Sequence, residues 1–217
     1  NGYSALTWYG GPDPRPDYYR YLPSFYDNTY VGAQLYEAWM GNTNNIRHIN
    51  WDNLYHINQS QEENPTYGAG HRAINMIEER HADQLDWNLY TQFSHLFRDN
   101  SKINGGLNFR RNRTEYYSEV KDLLGGDYWV DVDKFAERDM GGMNPVLYQN
   151  NMEYYEKHGH AQAVKKGDKY SYDYYGNIIN ARAWAQYSKS FGNLGVNLGG
   201  EPVSYTHLRA HETVLDL

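Results

Sequence analysis

Between Leu85 and Tyr117 the chain alternates apolar and polar residues twice around one polar turn, and nothing else in the sequence narrows the fold as much. On the first arm Trp87, Leu89, Phe93 and Phe97 share one face, while Asn88, Tyr90, Gln92 and Ser94 share the other, which is the period of a strand. The turn is Arg98-Asp99-Asn100-Ser101. On the second arm Ile103, Leu107 and Phe109 point one way and Asn104, Asn108 and Arg110 the other, with Gly105 and Gly106 marking a bend or close packing. The two arms read as a long antiparallel hairpin. Its apolar face runs for about the 9 to 11 residues that a tilted strand needs to cross a bilayer. Beyond Arg110 the arm turns charged and aromatic, from Arg111 to Tyr117, and enters a long connection. Short turns at one end and long polar loops at the other are the pattern of an outer-membrane barrel. A soluble all-β domain that buries the same face in a core is the other reading of this pattern.

A second hairpin follows. Ile179, Ala181, Ala183, Ala185, Tyr187 and Phe191 share one face, and Asn180, Arg182, Trp184, Gln186 and Ser188 the other. The turn Gly192-Asn193 is short enough for a tight hairpin, and Leu194, Val196 and Leu198 alternate on the return. Phe97 and Phe191 each precede a short turn, where an interfacial aromatic belt would place them. Between the hairpins, residues 118–176 read as a long external loop. Within it Tyr128, Trp129, Tyr172, Tyr174 and Tyr175 are candidate ligand contacts, against the plainer reading that they pack the loops on one another. Upstream, three prolines between Pro12 and Pro16 forbid a central strand. A short helix is expected from Gln34 to Met40, and Ile49, Trp51, Leu54, Tyr55 and Ile57 are spaced closer to a helix than to a strand. From Ala73 the chain becomes strand-like.

Composition narrows the functional classes. The 23 tyrosines against 6 phenylalanines put a hydroxyl on most of the aromatic surface, which suits loops, interfaces and sugar-binding faces. The mean hydropathy of -0.91 excludes a helical membrane protein but not a barrel, whose strands show lipid only alternate residues. There is no cysteine, so neither disulfides nor thiolate metal sites hold the fold. A net charge of -7 without long basic runs argues against a nucleic-acid partner. No nucleophile elbow, P-loop or HExxH motif is present, and no enzymatic activity or cofactor is expected. His158-Gly159-His160 has two-ligand spacing without a fixed third ligand, so no metal is expected there and the pair reads as solvated loop. Asp127, Asp131 and Asp133 faintly resemble a calcium loop but lack its glycine, and Glu137 is misplaced for it.

Several longer segments carry a resemblance. The runs DPRPDYYRYLPSFY from Asp13, INWDNLY from Ile49, RNRTEYYSEVKDLLGGDYW from Arg111 and KKGDKYSYDYYGNIINARAWAQ from Lys165, in that order, resemble the barrel region of Bacteroidetes TonB-dependent outer-membrane receptors. The family's fold is a barrel of about 22 strands holding a plug domain. The resemblance implies an all-β chain supplying about four or five antiparallel strands of a large transmembrane β-barrel, with short periplasmic turns and long extracellular loops. Residues 1–80 become a loop-rich segment, 81–201 two barrel hairpins joined by the loop 118–176, and 202–217 a separate tail. Trp87, Leu89, Phe93, Phe97, Ile103, Leu107, Phe109, Ile179, Ala183, Tyr187 and Phe191 would face lipid. Asn88, Tyr90, Gln92, Asn108, Arg110, Arg182, Trp184 and Gln186 would face the lumen.

The implied function is energy-coupled uptake of a scarce nutrient (siderophore, vitamin, glycan or peptide) across the bacterial outer membrane. Its partners would be the lipid, a plug domain of the same chain and the TonB energy-coupling protein. The alternatives are a soluble or surface-tethered all-β glycan-binding module, which would bury the apolar face, and a passive porin. The chain opens Asn1-Gly2-Tyr3 without an initiator methionine and is expected to be a fragment. From about Pro202 the text PVSYTHLRAHETVLDL loses the alternation and resembles translated sequencing-adapter read-through, and it is left out of the fold reading, with a boundary two or three residues wide because Val203-Ser204-Tyr205 can pass as strand.

Overall fold

The computed structural model describes residues 2–26, 29–140, 144–205 and 209–212, the last of these as backbone alone. In chain order the elements are β1 (Gly2–Trp8), α1 (Tyr30–Gly41), α2 (Trp51–Gln59), β2 (Asn75–Leu96), β3 (Lys102–Asp122), β4 (Trp129–Val130), α3 (Lys134–Met140), α4 (Met152–His158), β5 (Ala163–Val164), β6 (Lys169–Phe191), β7 (Leu194–Gly200), β8 (Val203–Tyr205) and β9 (Arg209–Glu212). The chain is mainly antiparallel sheet, 47% strand and 26% helix. The main sheet has the order β1-β2-β3-β6-β7, with β8 and β9 also paired to β6, while β4 and β5 form a small separate ribbon. Among the described residues the main sheet does not close on itself.

The chain divides into two compact units. One, the hairpin unit, holds residues 1–2, 81–117 and 173–217. The other, the mixed unit, holds 3–80 and 118–172.

The hairpin unit follows the alternation. At the first turn the Phe97 N–H donates to the Ser101 carbonyl at 2.8 Å, and Asn100 takes a left-handed conformation with φ 60° that asparagine tolerates better than most residues. Asp99 Oδ1 pins the turn by accepting from the Ser101 N–H and hydroxyl at 3.1 and 2.6 Å. At the second turn Phe191 pairs with Leu194 across Gly192-Asn193, with Gly192 at φ 59°. Both short turns thus form where the sequence places them. The strands are longer than the alternating stretches, at 22, 21 and 23 residues for β2, β3 and β6.

The mixed unit differs from expectation. Residues 118–176 are not one irregular loop. They continue β3 to Asp122, begin β6 at Lys169, and contain α3, α4 and the β4–β5 ribbon. Together with residues 3–80 they enclose a core of Ala73, Met76, Val120, Leu123, Trp129, Val164 and Tyr170. A second cluster gathers Tyr128, Val130, Val132 and Ala161. The physical reason is that apolar residues scattered without strand or helix period still bury together once short elements bring them into contact.

Both expected helices are present. α1 is capped by Thr29, whose hydroxyl accepts from the Gly32 N–H at 3.0 Å, and α2 by Asn50, which accepts from Asn53 at 3.1 Å. α2 is anchored by Asn58, which is fully buried. Its amide donates to the carbonyls of Asn75, Leu123 and Leu124 at 2.7, 2.8 and 3.1 Å. Its carbonyl accepts from the N–H groups of Ile74 and Asn75 at 2.9 and 3.0 Å. One side chain thereby ties the helix to the start of β2 and to the residues just past β3.

Past Pro202 the strand that Val203-Ser204-Tyr205 could pass for is formed, and the backbone beyond it pairs again. Val203–Tyr205 pairs with Asn180–Arg182 of β6, and the backbone of Arg209–Glu212 pairs with Tyr174–Asn177. Backbone pairing is indifferent to side-chain alternation, and the outer edge of so long a strand offers it unpaired N–H and C=O groups. Residues 206–208 and 213–217 of the expected tail, and Gly141-Gly142-Met143 of the expected loop, lie outside the described residues.

Candidate functional site

The hairpin unit presents one continuous apolar surface. A Cβ added at Gly105 would meet the Phe93 ring at 2.5 Å, and one at Gly106 would meet the Trp184 indole at 2.7 Å. Odd-numbered positions of β2, β3 and β6 therefore share a face, and even-numbered ones share the opposite face. The β6–β7 register sets Tyr187 opposite Leu198 and Phe191 opposite Leu194, which extends the odd face onto β7. Trp87, Leu89, Phe93, Leu107, Phe109 and Phe191 are between 42% and 65% exposed on it. Phe97 and Tyr187 are exposed there too, and Ile103, Ile179 and Ala183 are half-buried. Such large side chains left in the open across four strands mark an interaction surface, since monomeric soluble proteins seldom expose patches of this kind.

The opposite face is polar and internally bonded. Arg110 grips Asp86 through two bonds of 3.0 and 3.2 Å. The Ser94 hydroxyl donates to Asn104 at 2.8 Å, and the Tyr90 hydroxyl to Gln92 at 3.3 Å. Arg182 lies 4.0 Å from Glu201. Trp184 covers Gly106, and Asn88, Asn108 and Gln186 stand on the same side. Leu96, 64% exposed, departs from the polar character of this face. At the turn end of the apolar band Lys189 pairs with Asp99 at 2.7 Å, so charge bounds the band where the strands reverse.

The candidate ligand loop is not assembled as expected. Tyr128 and Trp129 are 2% and 4% exposed and belong to the core of the mixed unit, which withdraws them from any ligand surface. Tyr174 stacks on Tyr116 at 5.2 Å, and Arg113 lies 4.2 Å over the Tyr175 ring. Tyr172 is half-buried at the start of β6. Tyr174 and Tyr175 thus pack β6 against β3.

The mixed unit also buries a carboxylate. Glu78, 4% exposed, accepts from the Tyr170 hydroxyl, from the Ser118 hydroxyl at 3.2 Å and from Arg80 at 2.9 Å. Burial and this carboxylate push the Tyr170 phenol far above its ordinary pKa. With three donors satisfying it, Glu78 is a structural lock. Asp131 is likewise buried and raised by burial, although Asn150 and the Ser171 N–H hold its carboxylate at 2.7 and 3.0 Å. Asp127 accepts from the His71 N–H and Asp133 caps α3. The three aspartates are thus each committed to local structure. Among the described residues no group of three or more histidines and carboxylates could hold a metal ion.

Sequence reading missed two recesses near the proline-rich segment. One, of about 760 Å³, is lined by Arg15, Asn45, Arg47, His48 and Trp51. The other, of about 450 Å³, is lined by Arg20, Tyr21, Tyr26, Leu35 and Trp39. The signal was the density of aromatic and cationic residues around Pro12–Pro23, which has no period to mark it.

No protein-family model matches the chain, and no curated protein or solved structure is significantly similar to it.

Proposed function

We propose that the chain is a wall segment of a transmembrane β-barrel in the bacterial outer membrane, of the TonB-dependent type that takes up a scarce nutrient. The supporting observation is the uncovered apolar face. Trp87, Leu89, Phe93, Leu107 and Phe109 stand exposed on one side of the hairpin unit while its other side carries ion pairs and amides. Leaving one such side chain in water forgoes roughly 1.5–3 kcal/mol of burial. In lipid that cost vanishes. A soluble glycan-binding module would bury these same residues, and their exposure weighs against it.

In this reading Ile179, Ala183, Tyr187 and Phe191 extend the lipid-facing band, and Arg110, Arg182, Gln186 and Asn108 line the lumen toward a plug domain. Nutrient specificity belongs to that plug and to surfaces beyond the sheet, and TonB acts through the plug.

The test is a scan of single nitroxide labels from residue 87 to 93 in the chain folded into lipid vesicles. Labels at 87, 89, 91 and 93 are expected to meet lipid-dissolved oxygen, and those at 88, 90 and 92 to meet a water-soluble nickel chelate. Equal access of the chelate to both sets would overturn the barrel reading.

A further inference from the structure

His158 and His160 read from sequence as a solvated pair, but their geometry carries more. His158 ends α4 and Gly159 follows in the left-handed conformation, φ 75°. Across that reversal the centres of the two imidazoles lie 6.1 Å apart. An imidazole nitrogen binds zinc at about 2.0–2.1 Å, so two rings sharing one ion have centres about 5 to 6 Å apart. The observed separation stands at the upper end of that range.

The tautomers are also set. The Nδ1 of His158 lies 2.9 Å from the Tyr154 carbonyl, and the Nδ1 of His160 lies 2.9 Å from the Ala161 carbonyl. A carbonyl oxygen only accepts, so each Nδ1 carries the hydrogen and each neutral ring presents a lone pair at Nε2. Orientation of one ring nitrogen by a backbone acceptor is the usual second shell of a metal-ligating histidine. Aromatic contacts hold both rings further: His158 stacks on Tyr154 at 4.0 Å, and Tyr67 meets His160 edge-on at 5.5 Å. His158 is exposed, so the pair is open to solvent.

We propose that His158 and His160 form a two-histidine site for a divalent late transition-metal ion, with water or the ion's own chelator completing its coordination. Imidazole suits copper, nickel and zinc, and Cu2+ heads their affinity order. The absence of a third protein ligand among the described residues keeps coordination positions open. The site is therefore one for an exchanging ion or metal complex. It stands independently of the barrel reading.

The experiment is diethylpyrocarbonate footprinting of the full chain, folded in detergent micelles, during titration with Zn2+ and with Cu2+. His158 and His160 are expected to become protected together with one midpoint, lower for Cu2+, while His48 and His56 stay reactive. Removing either ligand, by His158→Gln or His160→Gln, is expected to raise the midpoint of the remaining histidine roughly ten-fold or more. The wild-type chain in urea is expected to lose the shared midpoint, because the turn that gathers the rings is gone. Protection of only one of the two histidines, of neither, or of both equally in urea would overturn the site.

Discussion

Asn58 commits its whole amide to backbone groups of two distant segments, 74–75 and 123–124, and no sequence period announces it. Asn58→Ala strips a partner from five backbone groups in a buried setting. Each unsatisfied group costs roughly 1–3 kcal/mol, and local relaxation recovers part, so a loss of about 3–5 kcal/mol is expected. Urea unfolding followed by tryptophan fluorescence measures it, and a loss below about 1 kcal/mol would show the clamp to be dispensable. Asn58→Asp is expected to do no better, because a carboxylate cannot donate to three carbonyls. Asp131 gives a second prediction with a definite sign. Burial raises its folded pKa above the unfolded one, so its contribution is most favourable at low pH and is lost as pH rises through the folded value. Asp131→Asn keeps an acceptor for Asn150 and Ser171 without the charge. The variant is expected to be more stable than the parent at neutral pH, with the gap closing below pH about 4; a gap that widens on acidification would contradict the assignment.

Among the elements, the long strands were the most legible. Alternation at Trp87, Leu89, Phe93, Ile103, Leu107 and Phe109 gave the faces correctly because strand period survives any change in what covers the sheet. Strand length was not legible, since β3 and β6 run on through charged and tyrosine-rich sequence where apolar alternation stops. The glycine pair explains itself in the structure. A Cβ at Gly105 would press the edge of the Phe93 ring, which rotates aside, whereas one at Gly106 would stand 2.5 Å from the Thr91 carbonyl oxygen, which does not. Gly106→Ala is therefore expected to cost about 1–3 kcal/mol, and Gly105→Ala less. Thermal unfolding in detergent micelles orders the two, and equal or reversed losses would refute the packing argument.

On the scale of the molecule, the hairpin unit could be anticipated, whereas of the mixed unit only its two helices could. The sheet needs only a repeat of two, which four short stretches display. Between residues 118 and 172 the mixed unit is built from two- and seven-residue elements whose contacts join distant parts of the chain, and composition there gave no hint that Val120, Leu123, Trp129 and Val164 meet in one core. The histidine pair shows the same division: its spacing was visible, but the left-handed Gly159 and the two carbonyls that orient the rings were not.

The lock between Glu78 and Tyr170 spans 92 residues of sequence. A ribosome adding about 5–20 residues per second makes its second half roughly 5–20 s after its first. Throughout that interval Glu78 has a charge and no tyrosine to meet it, and the helix bearing Asn58 waits for carbonyls at 123 and 124. The mixed unit cannot finish folding before residue 170 has been added, so its first half stays open while the residues between are made.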